Sequence, residues 1–382
     1  MKIVIAPDSF KGSVSAMEAA LYMERGVKRA LPDARTVRVP VADGGEGTLD
    51  ALIAATGGRK AEVTVTGPLG DPVKAEYGVL GDGNTAVIEM ASASGLCLIE
   101  DDRKNPMAAT TYGTGELIRK ALDDGCRSFI LAIGGSATND GGIGMLQALG
   151  MRLLDASGMP VGFGGQELGR IAAIDDSQWD RRIAESAFVI ASDVQNPLVG
   201  PSGASYVFGP QKGATPDMIG ILDHAMSRFA DVVQAKTGLR LHDRPGAGAA
   251  GGLGGAFQAF FPAQMRRGID IVIEHTKLRE HLQEADLVFT GEGRVDFQTA
   301  SGKTPMGVAQ EAKKLGIPAI VIAGSIGPGI ESLYEFGILS VHSIVNAPMT
   351  LQEAMEKTPE LLSQRAEQIV RTFLYTNQQS EF

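Results

Sequence analysis

Along the first 60 residues the apolar positions alternate between two spacings. Residues 3–6 form a short continuous apolar run, the pattern of a parallel strand buried on both faces. Residues 15–30 space their apolar side chains as a helix does. A second strand is expected over 36–41 and a second helix over 48–55, giving a β-α-β-α opening. The same grammar returns in the last hundred residues. DLVFT at 286–290 and AIVIA at 319–323 predict strands, and 339–345 predicts a weaker one. Helices are expected over 305–315 and 359–375.

The middle of the chain reads differently. Residues 62–80 alternate apolar and polar positions around a Gly-Asp-Pro turn, which predicts a hairpin. Residues 85–90 add a third strand. Helices are expected over 114–124, 140–149 and 216–235, and strands over 128–133, 151–155 and 187–192. Two opening strands and three closing ones make five, the number a flavodoxin-like sheet needs. The expected fold class is therefore α/β in two domains. Residues 1–60 plus 282–382 form a flavodoxin-like parallel-sheet domain, and 61–281 form an α/β domain of mixed sheet inserted into it. The competing division is two consecutive domains parting near residue 200.

Composition narrows the function classes. Hydrophobic residues at 44% and charged residues at 21% give a soluble balance. A net charge of -10 without any Lys/Arg cluster speaks against a nucleic-acid partner. Cys97 and Cys126 lack metal-ligand spacing and suit a reducing compartment. The opening apolar run is too short for a signal peptide or a membrane span, so a cytoplasmic location is expected. Oligomeric state is left open, a homo-oligomer included.

The 49 glycines matter more, because they cluster where predicted strands end. Asp8-Ser9, Asp43-Gly44-Gly45-Glu46, Gly291-Glu292-Gly293, Gly324-Ser325 and Asn346 each follow a strand of the outer domain. Ligands of open α/β sheets bind outside the carboxyl ends of the strands. One such loop is explained by helix capping; five together point to a site. Lys11 adds a cation beside Asp8 and Ser9. Gly134, Gly135, Ser136, Thr138 and Asn139 join a strand to a helix and offer an anion cradle. Gly113, Thr114 and Gly115 form a second turn of this kind. Asp193 follows the run 187–191, placed to bind Mg²⁺ or to act as a base, with an Asx-turn as the plain alternative. The glycine-rich stretch 246–257 fits either a phosphate cover or close packing of domains. Ser301-Gly302-Lys303-Thr304 imitates a P-loop, but Phe297 stands where that motif needs glycine. Lys303 is kept as a candidate to reach phosphate. No HExxH, GxSxG or early GxGxxG supports a zinc site, a serine hydrolase or a dinucleotide dehydrogenase.

Eight ordered stretches then resemble the bacterial-type glycerate kinase family, including its glycerate 2-kinases: APDSFKGS, ADGGEGT, GTGELI, IGGSATNDGG, SDVQNPLVGPSGA, FGPQKGA, GAGAAGGLG and TGEGRVDFQTASGKTPMGVA. The resemblance spans almost the whole chain. It implies ATP-dependent phosphorylation of D-glycerate, giving 2-phosphoglycerate, with Mg²⁺, in the breakdown of glyoxylate and sugar acids. It also implies two α/β domains. Within that reaction Lys11 and Arg294 are candidates for the substrate carboxylate, with Asp8 and Ser9 beside them. Asp193 is the first candidate to orient or deprotonate the attacking hydroxyl, followed by Asp43 and Asp296, and Lys11 is counted with the catalytic group. Asp43, Asp193 and Glu292 are candidates for Mg²⁺. Gly113, Thr114, Gly115, Gly134, Gly135, Ser136, Thr138, Asn139 and Lys303 are candidates for the nucleotide. The same kinase yielding 3-phosphoglycerate, or a non-catalytic nucleotide or sugar-acid binder, are the alternatives.

Overall fold

The computed structural model describes residues 1–379. The chain opens with β1 (Lys2–Pro7), the helix Ala16–Ala30 and β2 (Arg35–Arg38). It passes through β3 (Arg59–Thr66), β4 (Pro72–Val79), β5 (Thr85–Glu89), β6 (Ser128–Ala132), β7 (Arg152–Leu154), β8 (Ala173–Asp175), β9 (Ala187–Ala191) and β10 (Ala263–Arg266). It returns with β11 (Leu287–Gly291), β12 (Arg294–Val295), β13 (Ala319–Ala323), β14 (Ser325–Ile326) and β15 (Ile338–Ser343). Two compact units result. The first takes Met1–Asp43, Asp50–Ala55 and the chain from Ile269 onward; the second takes Gly44–Leu49 and Thr56–Gly268. The chain thus leaves the first unit and comes back to it. The return falls at Ile269, ahead of the expected 282, and residues 44–49 go with the second unit.

The first unit holds five parallel strands in the order β15-β13-β11-β1-β2. Numbered within the unit this is 2-1-3-4-5, the flavodoxin-like order. Ile3, Ile5, Leu287, Phe289, Ile320 and Ile322 pack one face of the sheet against Met23, Val27, Leu362 and Val370. Those partners lie on the helices Ala16–Ala30 and Thr358–Gln379. Ser15 opens the first of these with a capping box. Its Oγ accepts from the Glu18 backbone at 3.2 Å, and Glu18 Oε2 accepts from the Ser15 backbone at 2.9 Å. The buried positions 16, 19, 20, 23, 26 and 27 then fall on one helical face. β2 is shorter than expected because Pro40 has no N–H. Even so, Val39 and Val41 donate to Ile5 and Pro7 and carry the chain along β1 as far as Asp43.

The second unit holds a mixed six-stranded sheet, β10-β9-β6-β5-β4-β3. Four strands are parallel; β4 and β3 are the antiparallel hairpin. Phe129 and Phe188 stack at 4.6 Å between ring centroids in its core. β10 and the helix Leu253–Phe260 were not expected from the sequence pattern. The glycine-rich stretch packs within this unit. A Cβ on Gly251 would stand 2.0 Å from the Thr138 carbonyl oxygen, and one on Gly142 would stand 2.6 Å from Ala256 Cβ. Close approach to the 138–142 segment therefore accounts for these glycines.

Candidate active site

In a parallel sheet every strand ends at the same edge. In the first unit that edge gathers the loops after β1, β2, β11, β13 and β15. The Asp8 backbone donates to the Gly291 carbonyl at 2.8 Å, and Gly324 donates to the Glu292 carbonyl at 3.2 Å. Ser343 Oγ closes the series on the Gly324 carbonyl at 3.1 Å. Asp8 is 7% exposed. Its Oδ2 accepts from Thr304 Oγ1 at 2.5 Å and its Oδ1 from the Ser9 backbone at 2.6 Å. Burial, then the charges of Asp43 and Glu292, push the Asp8 carboxyl up to about 7, against those two hydrogen bonds. Glu292 is also raised by burial, opposed by Lys303 and Thr299. Its Oε1 accepts from Thr299 Oγ1 at 3.0 Å, and Lys303 Nζ stands 3.7 Å from its Oε2. Asp8, Asp43, Glu292, Lys303 and Thr304 therefore form one electrostatically linked cluster.

The remaining candidates of this unit separate from that cluster by role. Lys11 is exposed in the turn between Phe10 and Val14. Arg294 is exposed, with Nε 3.1 Å from Asp296 Oδ2. Asp296 caps the short 3₁₀ segment Phe297–Ser301 by accepting from the Gln298 backbone at 3.0 Å. Capping and the Arg294 pair account for Asp296, so the structure gives no support to a base role there.

In the second unit, β6 ends in the turn expected to hold phosphate. Gly134 and Gly135 are exposed, and Gly135 takes φ +75°. From Ser136 to Asp140 the chain turns inward and is buried. Thr138 and Asn139 are fully buried, with Asn139 Nδ2 donating to Ser205 Oγ at 2.9 Å. They line the inside of the turn. Asp140 accepts from the Thr111 backbone and hydroxyl, both at 2.8 Å, and from Gly142 at 3.1 Å. Gly113, Thr114 and Gly115 open the helix Tyr112–Asp123 and are buried in its first turn. A Cβ on Gly113 would meet the Thr66 carbonyl oxygen at 2.0 Å, and one on Gly115 the Met145 carbonyl oxygen at 2.6 Å. Thr114 Oγ1 donates to Ser94 Oγ at 2.9 Å. Asp193 follows β9 and is half-buried at the carboxyl end of that strand.

The Mg²⁺ candidates divide between units, Asp43 and Glu292 in the first and Asp193 in the second. Among the described residues no three His, Cys, Asp or Glu side chains form a ready cage. Mg²⁺ commonly takes one or two carboxylates, with substrate phosphates and water completing the shell. The hard-oxygen set around Asp8, whose own carboxyl is raised by burial and then by neighbouring negative charge, fits that mode. Among the described residues no helix is long and apolar enough to cross a membrane.

Three residues of these clusters were not singled out from the sequence: Thr304, Asp140 and Lys212, a buried lysine whose Nζ donates to Ser136 Oγ. Thr304 stood in the failed P-loop pattern, where only Lys303 drew notice. Asp140 and Lys212 sit in quoted motifs, but their burial is a tertiary property with no local spacing to announce it.

A model described as the glycerate kinase family matches residues 3–374. A glycerate kinase of Bacillus subtilis 168 is 53% identical over 369 residues, covering 97% of both chains. A glycerate 2-kinase of Escherichia coli K12 is 49% identical over 372 residues, covering 97% of this chain and 98% of that one. A solved Salmonella typhimurium LT2 chain, described as a glycerate kinase 2, superposes with a TM-score of 0.88 at 48% identity. The match covers 99% of each chain.

Proposed function

We propose, from the premise that the chain belongs to the glycerate kinase family, that it transfers the γ-phosphate of ATP to D-glycerate and releases 2-phosphoglycerate. The 3-phosphoglycerate alternative and the non-catalytic binder have no observation in their favour.

The structural observation that carries the reading is the carboxylate cluster at the strand ends of the first unit. Phosphoryl transfer needs alignment and cancellation of charge more than covalent work by the protein. A site that only bound anions would be lined by Arg and Lys. Here burial, with the charges of Asp43 and Glu292, raises the Asp8 carboxyl, and burial, with Asp43, raises Glu292, a sign that a cation belongs among them. Mg²⁺, held by Asp43 and Glu292, would offset charge on the β- and γ-phosphates. Asp8 backs that pair and is too buried to be a contact for the substrate carboxylate. Ser9 lies beside it, half-buried, as a hydroxyl donor.

Lys303 is assigned to phosphate, since its ammonium already faces Glu292. Lys11 and Arg294 are assigned to the glycerate carboxylate, because both cations are exposed and close in sequence to the cluster. Gly134 and Gly135, which are exposed, are assigned to the phosphate tail through their backbone N–H groups, with Ser136 buried behind them. Asp193 is assigned to the attacking hydroxyl, which it would orient and relieve of its proton as the new O–P bond forms. The cytoplasm, where ATP is supplied, is the expected compartment.

A coupled assay tests this directly. ADP release is expected on D-glycerate with ATP and Mg²⁺, and it should stop when the Mg²⁺ is chelated. Turnover on another hydroxy acid with silence on glycerate would contradict the substrate, and silence on all would contradict the kinase.

A further inference from the structure

Lys212 ends the single 3₁₀ turn Pro210–Lys212 and is 2% exposed. Its Nζ donates to Ser136 Oγ at 2.7 Å and to the Thr138 carbonyl at 2.6 Å. Both acceptors lie in the turn whose outer residues, Gly134 and Gly135, are exposed. The lysine is fixed from the other side as well. Gly213 takes φ +90°, and a Cβ there would stand 2.6 Å from the Lys104 carbonyl oxygen.

A buried ammonium on neutral acceptors costs stability that a methionine would not. Burial pulls its pKa down to about 7, against the charge of Asp140. Asp140 carries hydrogen bonds of its own from Thr111, Gly142 and Gly144. Lys104, whose carbonyl packs against Gly213, has its own ammonium paired with Asp101 at 2.6 Å. Thr138 Oγ1 and Asn139 Oδ1 are buried in the same turn with no hydrogen-bond partner among the described residues. The turn therefore holds a buried amine close to its point of ionisation and spare polar atoms that packing alone does not require.

We propose that Lys212 is a positioning residue for the nucleotide: its buried charge holds the 134–138 turn in shape and draws the phosphate tail onto the exposed Gly134–Gly135 backbone. This rests on the reading that this turn receives phosphate. The ammonium is buried and reaches the turn through the Ser136 hydroxyl, so it acts through the low-dielectric interior without touching the ligand.

Lys212→Met keeps the length of the side chain and removes the charge. Calorimetric titration with ADP should show affinity lowered about 10- to 100-fold. The KM for D-glycerate at saturating ATP should stay within about twofold, a split that general loosening of the fold would not give. Equal losses toward both substrates, or unchanged ADP affinity, would overturn the role. Gly135→Ala separates this from the premise, because alanine strains the φ +75° turn directly. ADP binding unchanged in Gly135→Ala removes the phosphate reading itself. Binding weakened there but intact in Lys212→Met removes only Lys212. If Lys212→Met does not fold, the unmodified protein carries the test at pH 8, where ADP has no phosphate proton left to release. ADP binding should then take up protons, seen as heat that varies with the ionisation enthalpy of the buffer, and the absence of uptake would count against the proposal.

Discussion

Asp8 burdens the ligand-free protein in a way that asparagine would not. Its carboxyl titrates near 7 when folded, against an ordinary carboxylate value when unfolded. Between those values the folded state holds more protons, so this group lowers stability as pH rises through that window. Asp8→Asn should raise the ligand-free stability at pH 8 by on the order of 4 kcal/mol, read as a higher melting temperature, and leave it nearly unchanged at pH 4. Activity should fall in the same variant, and a melting temperature lowered at pH 8 would contradict the cluster's electrostatics. Asp193→Asn should cut kcat by about 10² or more if Asp193 takes the hydroxyl proton; an unchanged kcat would remove that role. Asp8, Asp43 and Glu292 were legible because each directly follows a strand signal, and a parallel sheet brings such positions to one edge. Lys212 and Asp140 were not, since nothing local distinguishes a buried charge from a solvated one. Gly113 and Gly115 carry the same ambiguity: a glycine spared for packing and one spared for a ligand look alike in sequence.

Helix packing in the first unit depends on one small residue. Gly26 lies where Ala16–Ala30 crosses Thr358–Gln379, and a Cβ there would stand 2.1 Å from the Ser363 carbonyl oxygen. Alanine would gain about 1 kcal/mol of helix propensity. It would also wedge the helices apart against rigid backbone, at roughly 1–3 kcal/mol or more. Gly26→Ala should therefore lower the melting temperature, and a rise would show that the helices separate freely. Elements with a clear period were legible: both of these helices, the hairpin of β3 and β4, and the apolar runs β1, β11 and β13. β10 was not, because Ala-Gln-Met-Arg carries neither a strand period nor β-branched residues. The helix Leu253–Phe260 was hidden by glycines placed for contact with the 138–142 segment.

At the scale of the whole chain, counting strands before and after the middle segment indicated a five-stranded sheet. The order 2-1-3-4-5 came only from pairing, which no single segment encodes. The unit boundaries were equally hidden, because residues 44–49 and 269–281 carry no break in composition. The central claim is that this chain phosphorylates the secondary hydroxyl of glycerate. Proton-coupled ³¹P NMR of the product from ATP, Mg²⁺ and D-glycerate tests it most directly. A phosphorus resonance split into a doublet by the lone proton on C2 is the expected result. A triplet from the two protons on C3, or no new phosphate ester at all, would contradict it.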